Sequence, residues 1–178
     1  DVDSTNLTSF AVIITNLQDG AAEVLAANTS GTSILANFVP GSGILTLSGA
    51  DTVANYQQVL RTVTYNNTSQ DPNTTARVIT FVANDGTDPS NVGTTTVTMV
   101  AQNDAPVLDL DADDSSGSGG ADYATTFTED LGAVGIADAD ATLTDVDTTN
   151  LTSVTVTITN LLDGASEVLA ATTGGTSI

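Results

Sequence analysis

The amino-acid sequence predicts an all-β protein, an antiparallel β-sandwich with one short helix. Thr accounts for 32 of the 178 residues, and β-branched side chains favour strands over helices. Apolar and polar residues alternate in many short segments, which is typical of half-buried antiparallel strands. Turn sequences rich in Asn, Asp and Gly separate these segments. Many short strands with little helix indicate a sandwich of two sheets.

The clearest strand pattern occurs twice in the chain. Residues 154–159 alternate Val, Val and Ile with three Thr, and the earlier segment 10–14 places Phe10, Val12 and Ile14 on one inward face. Turns are predicted at 16–20 and 84–86. Further strands are predicted at 23–27, 43–48, 62–66, 76–83, 94–100, 107–110, 123–128 and 133–137.

A single segment, residues 51–60, has a helical pattern. Asp51 is a suitable N-cap, and Val53, Tyr56 and Leu60 would share one helix face. The sequence therefore predicts one short helix within the first half of the chain.

The chain contains part of itself twice. Residues 1–34 match residues 145–178 at 26 of 34 positions, with an offset of 144. Solenoid repeats have periods of about 20 to 50 residues, so a longer period indicates a whole domain repeated in tandem.

The domain boundary is placed at the linker 101–106, which interrupts two strand patterns. Residues 1–102 are then the later part of one repeat, without its opening strands. Residues 103–178 form the first half of the next repeat.

Composition excludes several functional classes. The chain has two Arg and no Lys, His or Cys against 22 acidic residues, a net charge of −20. Without His or Cys it can form neither a Ser-His-Asp or Cys-His nucleophile pair nor a zinc site of imidazole or thiolate ligands. Any catalysis would have to rest on carboxylates and hydroxyls. A carboxylate-pair glycosidase is the alternative from the enzyme class, but the chain lacks the usual cleft aromatics, and we predict no enzymatic activity. Too few cations are present to bind nucleic acid or anionic lipid. The longest aliphatic or aromatic run, 10–14, is far shorter than the roughly 20 residues of a membrane-spanning helix.

Acidic residues are concentrated in one stretch. Between Asp104 and Asp147 lie eleven Asp and one Glu, with no basic residue. Their mutual repulsion favours a bound cation, and oxygen ligands without imidazole or thiolate select Ca²⁺. Asp109, Asp111 and Asp113 match the start of an EF-hand loop, but Asp114 and Gly120 stand where that loop has Gly and Glu. Residues 111–122 are therefore interpreted as a flexible acidic loop, with calcium binding there as the alternative.

Four short motifs also occur in a defined order within the 144-residue period: Glu129, Asp145-Val146-Asp147 with Asn150, Ala83-Asn84-Asp85-Gly86, and Asn103-Asp104-Ala105-Pro106. Their order and approximate spacing resemble those of cadherin-like repeats, immunoglobulin-like β-sandwich domains that include the repeats of giant bacterial surface adhesins. For the linker and for Asp145-Val146-Asp147, an ordinary polar turn remains the alternative.

The resemblance implies calcium sites at the junctions between domains. The central junction would use Asn103, Asp104, Asp145 and Asp147. Asp1, Asp3 and Asp85 would form the half-site at the other end of the first domain, and Glu129 would serve the following junction. The family's Asp-Arg-Glu motif is absent, since Ser48-Gly49-Ala50-Asp51 stands there. Asp51 is at most a substitute ligand, and Asp138 and Asp140 are secondary candidates.

The expected function is structural. The sequence predicts a calcium-rigidified, extracellular tandem-repeat module of a bacterial surface adhesin or secreted filament, whose partners are adjacent identical or near-identical repeats in head-to-tail order. The alternative is a calcium-dependent carbohydrate-binding module, although the chain has no Trp and only three Tyr for a sugar-stacking site.

Overall fold

The structure is a computed structural model that describes residues 5–174. The chain divides into a larger unit that ends at Asp147 and a smaller unit that begins at Thr148. The larger unit contains the strands and the α-helix. Its elements are β1 (Asn6–Ile14), β2 (Glu23–Ala26), β3 (Leu35–Val39), β4 (Ile44–Thr52), α1 (Val53–Leu60), β5 (Thr64–Asn67), β6 (Arg77–Asn84), β7 (Gly93–Val97), β8 (Val107–Asp109) and β9 (Thr142–Thr144).

The strands form antiparallel sheets, as the sequence predicts. A five-stranded sheet has the order β3-β4-β1-β6-β7, and two-stranded sheets pair β2 with β5 and β8 with β9. β1 lies at the centre of the large sheet, where Phe10 is paired with Leu47 on β4 and with Ala83 on β6. An apolar alternating segment thus forms the central strand of the large sheet.

The core lies against one face of the large sheet. Val12, Leu45 and Leu47 from that sheet are at most 1 % exposed, as are Tyr56 and Val59 from α1. The predicted inward positions of β1 are confirmed, because Phe10, Val12 and Ile14 are all buried in this cluster with Leu25 of β2.

A buried ion pair joins the first residue of β6 to the first residue of β2. Arg77 donates through Nε to Glu23 at 2.9 Å and through Nη2 to Asp19 at 2.6 Å. The hydroxyl of Tyr65 donates to Glu23 as well, at 3.1 Å. Burial opposes ionisation of Glu23, but the backbone N–H groups of Asp19 and Gln18 and the Arg77 guanidinium outweigh it, so the pKa of Glu23 is lowered.

The helix begins later than predicted, and its N-cap is Thr52. The Thr52 hydroxyl accepts a hydrogen bond from the Asn55 backbone N–H at 3.2 Å. Asp51 is instead still part of β4, where it is paired with Leu7. The predicted cap at Asp51 was wrong because Asp51 is still paired within β4, and the helix begins only after Thr52.

Three predicted strands do not form in the described residues, namely 123–128, 133–137 and 154–159. The counterpart of 154–158 in the first copy, β1, is held between β4 and β6, whereas 154–158 has no paired strand within residues 5–174. Val154 and Val156 are accordingly 65 % and 58 % exposed. An alternating pattern forms a strand only where a partner strand is present.

Local geometry in the smaller unit nevertheless repeats that of the larger one. Short 3₁₀ turns occur at Gly20–Ala22 and Gly164–Ser166, and the residues before them, Asp19 and Asp163, have nearly identical backbone angles. Glu23 accepts the Gln18 and Asp19 N–H groups, and Glu167 accepts the equivalent pair at the same distances of 2.8 and 2.7 Å. This turn is therefore specified by its own sequence.

Candidate metal centre

The β8–β9 pair organises the acidic stretch. Val107 is paired with Thr144 and Asp109 with Thr142. Residues that follow β8 are consequently brought beside residues that precede β9, at one end of the pair. At the other end, the linker before β8 meets the residues that follow β9. Two groups of acidic side chains arise in this way from segments that are far apart in sequence.

The first group is a carboxylate triad formed by Asp111, Asp113 and Asp140. One oxygen from each side chain lies within 4.8 Å of the other two. Asp111 is fully buried, Asp140 is half-buried and Asp113 is exposed. The triad could hold a metal ion, because three convergent carboxylate oxygens supply the negative charge and the ligand atoms that a hard cation requires.

Asp111 also holds together the turn in which it lies. Its two oxygens accept the backbone N–H groups of Ser115 at 3.0 Å and Ser116 at 2.9 Å. The pKa of Asp111 is lowered by the Ser116 hydroxyl and, against the effect of burial, by these N–H donors. Asp114 closes the turn with a φ of 54°, a left-handed conformation that Asp tolerates better than most residues. The carboxylate is thus fixed in its ionised form.

Asp140 is the member of the triad whose environment is incomplete. Its Oδ1 is buried and has no hydrogen-bond partner. Removal from water raises the pKa of Asp140, and the charges of Asp113 and Asp138 raise it further. A buried polar atom without a partner is costly, and a cation between the carboxylates would satisfy that oxygen and offset the repulsion.

The triad does not follow the EF-hand pattern of the sequence. Asp109, the first residue of that pattern, uses Oδ1 to accept the Asp111 N–H at 3.0 Å, and it lies outside the triad. The third carboxylate comes from Asp140, which precedes β9 at the same end of the β8–β9 pair. The interpretation of 111–122 as a flexible acidic loop overlooked this turn, which the two Ser after Asp114 stabilise through their N–H groups.

The second group contains the residues predicted for the central junction. The Asp104 N–H donates to Asp147 Oδ2, the Asp147 N–H donates to Asp145 Oδ1 at 2.9 Å, and Asn103 Nδ2 donates to the Asp104 carbonyl at 2.5 Å. An open cavity of about 370 Å³ is lined by Asp104, Asp145 and Gln70. The linker and the Asp145-Val146-Asp147 motif therefore do meet. Within residues 5–174, however, only Asp111, Asp113 and Asp140 form a trio with mutual oxygen distances below 4.8 Å.

The remaining predicted ligands are dispersed. Asp85 accepts the backbone N–H groups of Asp88 and Thr87 within its own turn. These bonds lower the pKa of Asp85, the one from Asp88 most strongly. Glu129 is exposed. Asp51 accepts the Ser33 N–H and Asn55 Nδ2, both at 2.7 Å. Asp138 lies beside the triad, where Ser115 Oγ donates to it at 3.4 Å. Asp1 and Asp3 lie outside the described residues.

Comparison with known proteins adds no relative to this description. No protein-family model, curated protein or solved structure matches the chain. The described part of the chain contains no helix with the length and apolar character needed to cross a membrane.

Proposed function

We propose that the chain is a calcium-stabilised structural module of an extracellular tandem-repeat array, acting as an extender or filament-forming segment in cell adhesion. The observation that carries the proposal is the buried, partnerless Oδ1 of Asp140 inside the carboxylate triad. A protein that maintains this arrangement without a cation leaves an unsatisfied oxygen among like charges. A cation that binds only the folded chain would stabilise it by mass action.

Calcium is the cation that best fits the available ligands. The triad and its neighbour Asp138 present carboxylate oxygens, and the chain contains no His or Cys that would favour zinc. Ca²⁺ accepts six to eight oxygens in a loose geometry, whereas Mg²⁺ requires a near-octahedral set at short distances. The triad combines the buried Asp111 and the exposed Asp113 of one turn with Asp140 from a distant segment. Such an irregular set of ligands suits Ca²⁺ better than Mg²⁺.

Repeated cadherin-like β-sandwiches form the proposed architecture. Supporting observations are the antiparallel sheets, the core covered on one face of the large sheet by β2 and α1, and the 26 identities between residues 1–34 and 145–178. Each 144-residue period would be one domain, and its neighbours would be near-identical copies. Such an array would have a mechanical role as a stiff extender, and it would not need a catalytic site.

The contact between Asp104 and Asp147 supports a role for the linker as a joint. The backbone N–H of Asp104 donates directly to the Asp147 carboxylate, so the linker is bonded to the motif at the start of the second copy of the matching stretch, 145–178. A cation bound by Asp104, Asp145 and Asp147 would add a second fastening. Rotation of one domain against the next would then be restricted.

Thermal unfolding in excess calcium and in EDTA tests the metal-dependent part of the proposal. The wild-type chain should melt at a clearly higher temperature in calcium, and Asp140→Asn should lose most of that difference. Asp88→Asn, an exposed acid outside the triad, is the matched control and should keep it. Equal melting temperatures of the wild type in calcium and EDTA would reject calcium stabilisation.

Small-angle scattering on a chain of several repeats tests the joint. Asp104→Ala together with Asp147→Ala should shorten the maximum dimension in calcium, because a loosened joint lets successive domains fold back. A doubly substituted chain as extended as the wild type would reject these residues as part of a stiff junction.

A further inference from the structure

The loop between β5 and β6, residues 68–76, has no regular secondary structure, yet it is tied to the core near both ends. Arg77 Nη1 donates to the Asn73 carbonyl at 3.0 Å, and Asp19 Oδ1 accepts the Asn73 N–H at 3.1 Å. Just before the loop, Asn67 Nδ2 donates to Asp19 Oδ2 at 2.6 Å. Arg77 and Asp19, which are themselves paired, therefore hold the loop in one position.

The tip of this loop is Gln70. The Ser69 N–H donates to Asn67 Oδ1 at 2.9 Å, and the Ser69 hydroxyl donates to the Asp71 carbonyl at 2.9 Å, so the backbone on both sides of Gln70 is bonded within the loop. Pro72 follows, and its ring fixes φ. Gln70 is thus an exposed side chain on a backbone with little freedom.

Gln70 also faces the joint between the repeats. Among the described residues, it is the only one from before the linker that lines the open cavity of about 370 Å³ beside β8 and β9. The other lining residues belong to the linker or to the segment that the sequence assigns to the following repeat, and they include Asp104 and Asp145. At this cavity, the β5–β6 loop forms the first repeat's side of the joint.

An amide side chain suits this position. The cavity contains the carboxylates of Asp104 and Asp145, and in the described chain no basic side chain lines it. Gln carries two N–H donors and no charge, so Gln70 can donate to a carboxylate, directly or through water in the cavity, without adding repulsion. An acidic residue at position 70 would instead place a third negative charge there.

We propose that the β5–β6 loop braces the joint between repeats. In this arrangement Gln70 docks on the carboxylates of the segment that opens the following repeat, and the Arg77–Asp19 network holds the loop in the docking position. The inference rests on the tandem-repeat part of the proposed function. It does not require calcium, because the bonding group is a side-chain amide. The buried ion pair thereby gains a second role, since it sets the direction of the next domain.

Pulsed electron spin resonance on the full chain measures the stiffness of the joint. The chain contains no Cys, so spin labels can be attached through Thr94→Cys on β7 and Leu143→Cys on β9, two exposed sites outside the cavity. The labelled chain should give a narrow distance distribution, in EDTA as well as in calcium. Gln70→Ala should broaden it about twofold, because relative motion is the default between domains joined by a small interface.

Two further variants separate the docking contact from other effects. Gln58→Ala removes an exposed amide on α1, outside the cavity, and is the matched control that should leave the distribution unchanged. Asn67 lines no part of the cavity, but its side chain bonds both Asp19 and Ser69. Asn67→Ala should therefore broaden the distribution by loosening the loop, without removing the docking side chain.

The measurements in EDTA are decisive, because no metal contributes to the joint there. Broadening by Gln70→Ala in EDTA supports the brace, even if calcium proves to have no effect on the chain. A broad distribution of the unsubstituted chain in EDTA, or a Gln70→Ala distribution there as narrow as that of Gln58→Ala, would overturn the proposal. Broadening by Gln70→Ala in calcium alone would assign the side chain to a metal site and would overturn it as well.

Discussion

The guanidinium of Arg77 lies 2.9 Å from the carboxylate of Glu23, and both side chains are fully buried. Removing Glu23 leaves the buried Arg77 with only Asp19, whose side chain is partly exposed, as its counter-charge. We predict that Glu23→Gln lowers the free energy of unfolding by about 3 kcal/mol, measured by urea denaturation. An effect no larger than that of a surface substitution would show that water reaches the pair.

Glu167 provides an internal control for that substitution. It makes the same two backbone hydrogen bonds as Glu23, but it lies on the exposed turn of the second copy. Glu167→Gln should therefore change the unfolding midpoint little, since the turn loses no buried ion pair. If both substitutions had equal effects, the local turn and not the Arg77 contact would account for the importance of Glu23.

The Glu23 pair also predicts a pH dependence. Because the pKa of Glu23 is lowered from 4.5 in the folded chain, its ionised form stabilises the fold above that value. This contribution is lost as pH falls through the lower folded pKa. The stability difference between wild type and Glu23→Gln should thus shrink on acidification below about pH 4.5. A difference that stays constant from neutral to acidic pH would contradict the assignment.

Gly49 and Gly41 allow a matched test of backbone packing. Both have positive φ, 122° and 74°, but an added Cβ at Gly49 would lie 2.6 Å from the Ser33 carbonyl oxygen, while at Gly41 it would meet nothing within 4 Å. We predict a cost of roughly 3 kcal/mol for Gly49→Ala and about 1 kcal/mol for Gly41→Ala. Chemical denaturation of the two variants checks the order, and a larger effect at Gly41 would contradict the close approach.

The sequence was most informative where local pattern and tertiary environment agree. β1 and β6 were predicted because apolar side chains alternate along strands that have neighbours on both sides. β3 was missed, since Leu35-Ala36-Asn37-Phe38-Val39 lacks clear alternation and is held at the edge by its register with β4. Residues 154–159 have a better pattern than β3, yet they form no strand without partners.

The candidate metal centre was predicted only in part. The clustering of acids and the meeting of Asp104 with Asp147 followed from composition and motifs. The role of Asp111 was hidden by the mismatch to an EF-hand, although the Ser-Ser pair that follows Asp114 is a signal for a carboxylate-capped turn. The third member, Asp140, becomes adjacent to Asp111 only through the pairing of β8 with β9, a non-local contact that no local motif contains.

Isothermal titration calorimetry of the chain with calcium tests the central claim most directly. The wild-type chain should bind Ca²⁺, and Asp140→Asn should abolish or greatly weaken one binding event, because it removes charge from the triad at the oxygen that has no other partner. Asp85→Asn, whose carboxylate is occupied by its own turn, should leave that event unchanged. A wild-type chain that binds no calcium, or an Asp140→Asn chain that binds it with unaltered affinity and stoichiometry, would contradict the account.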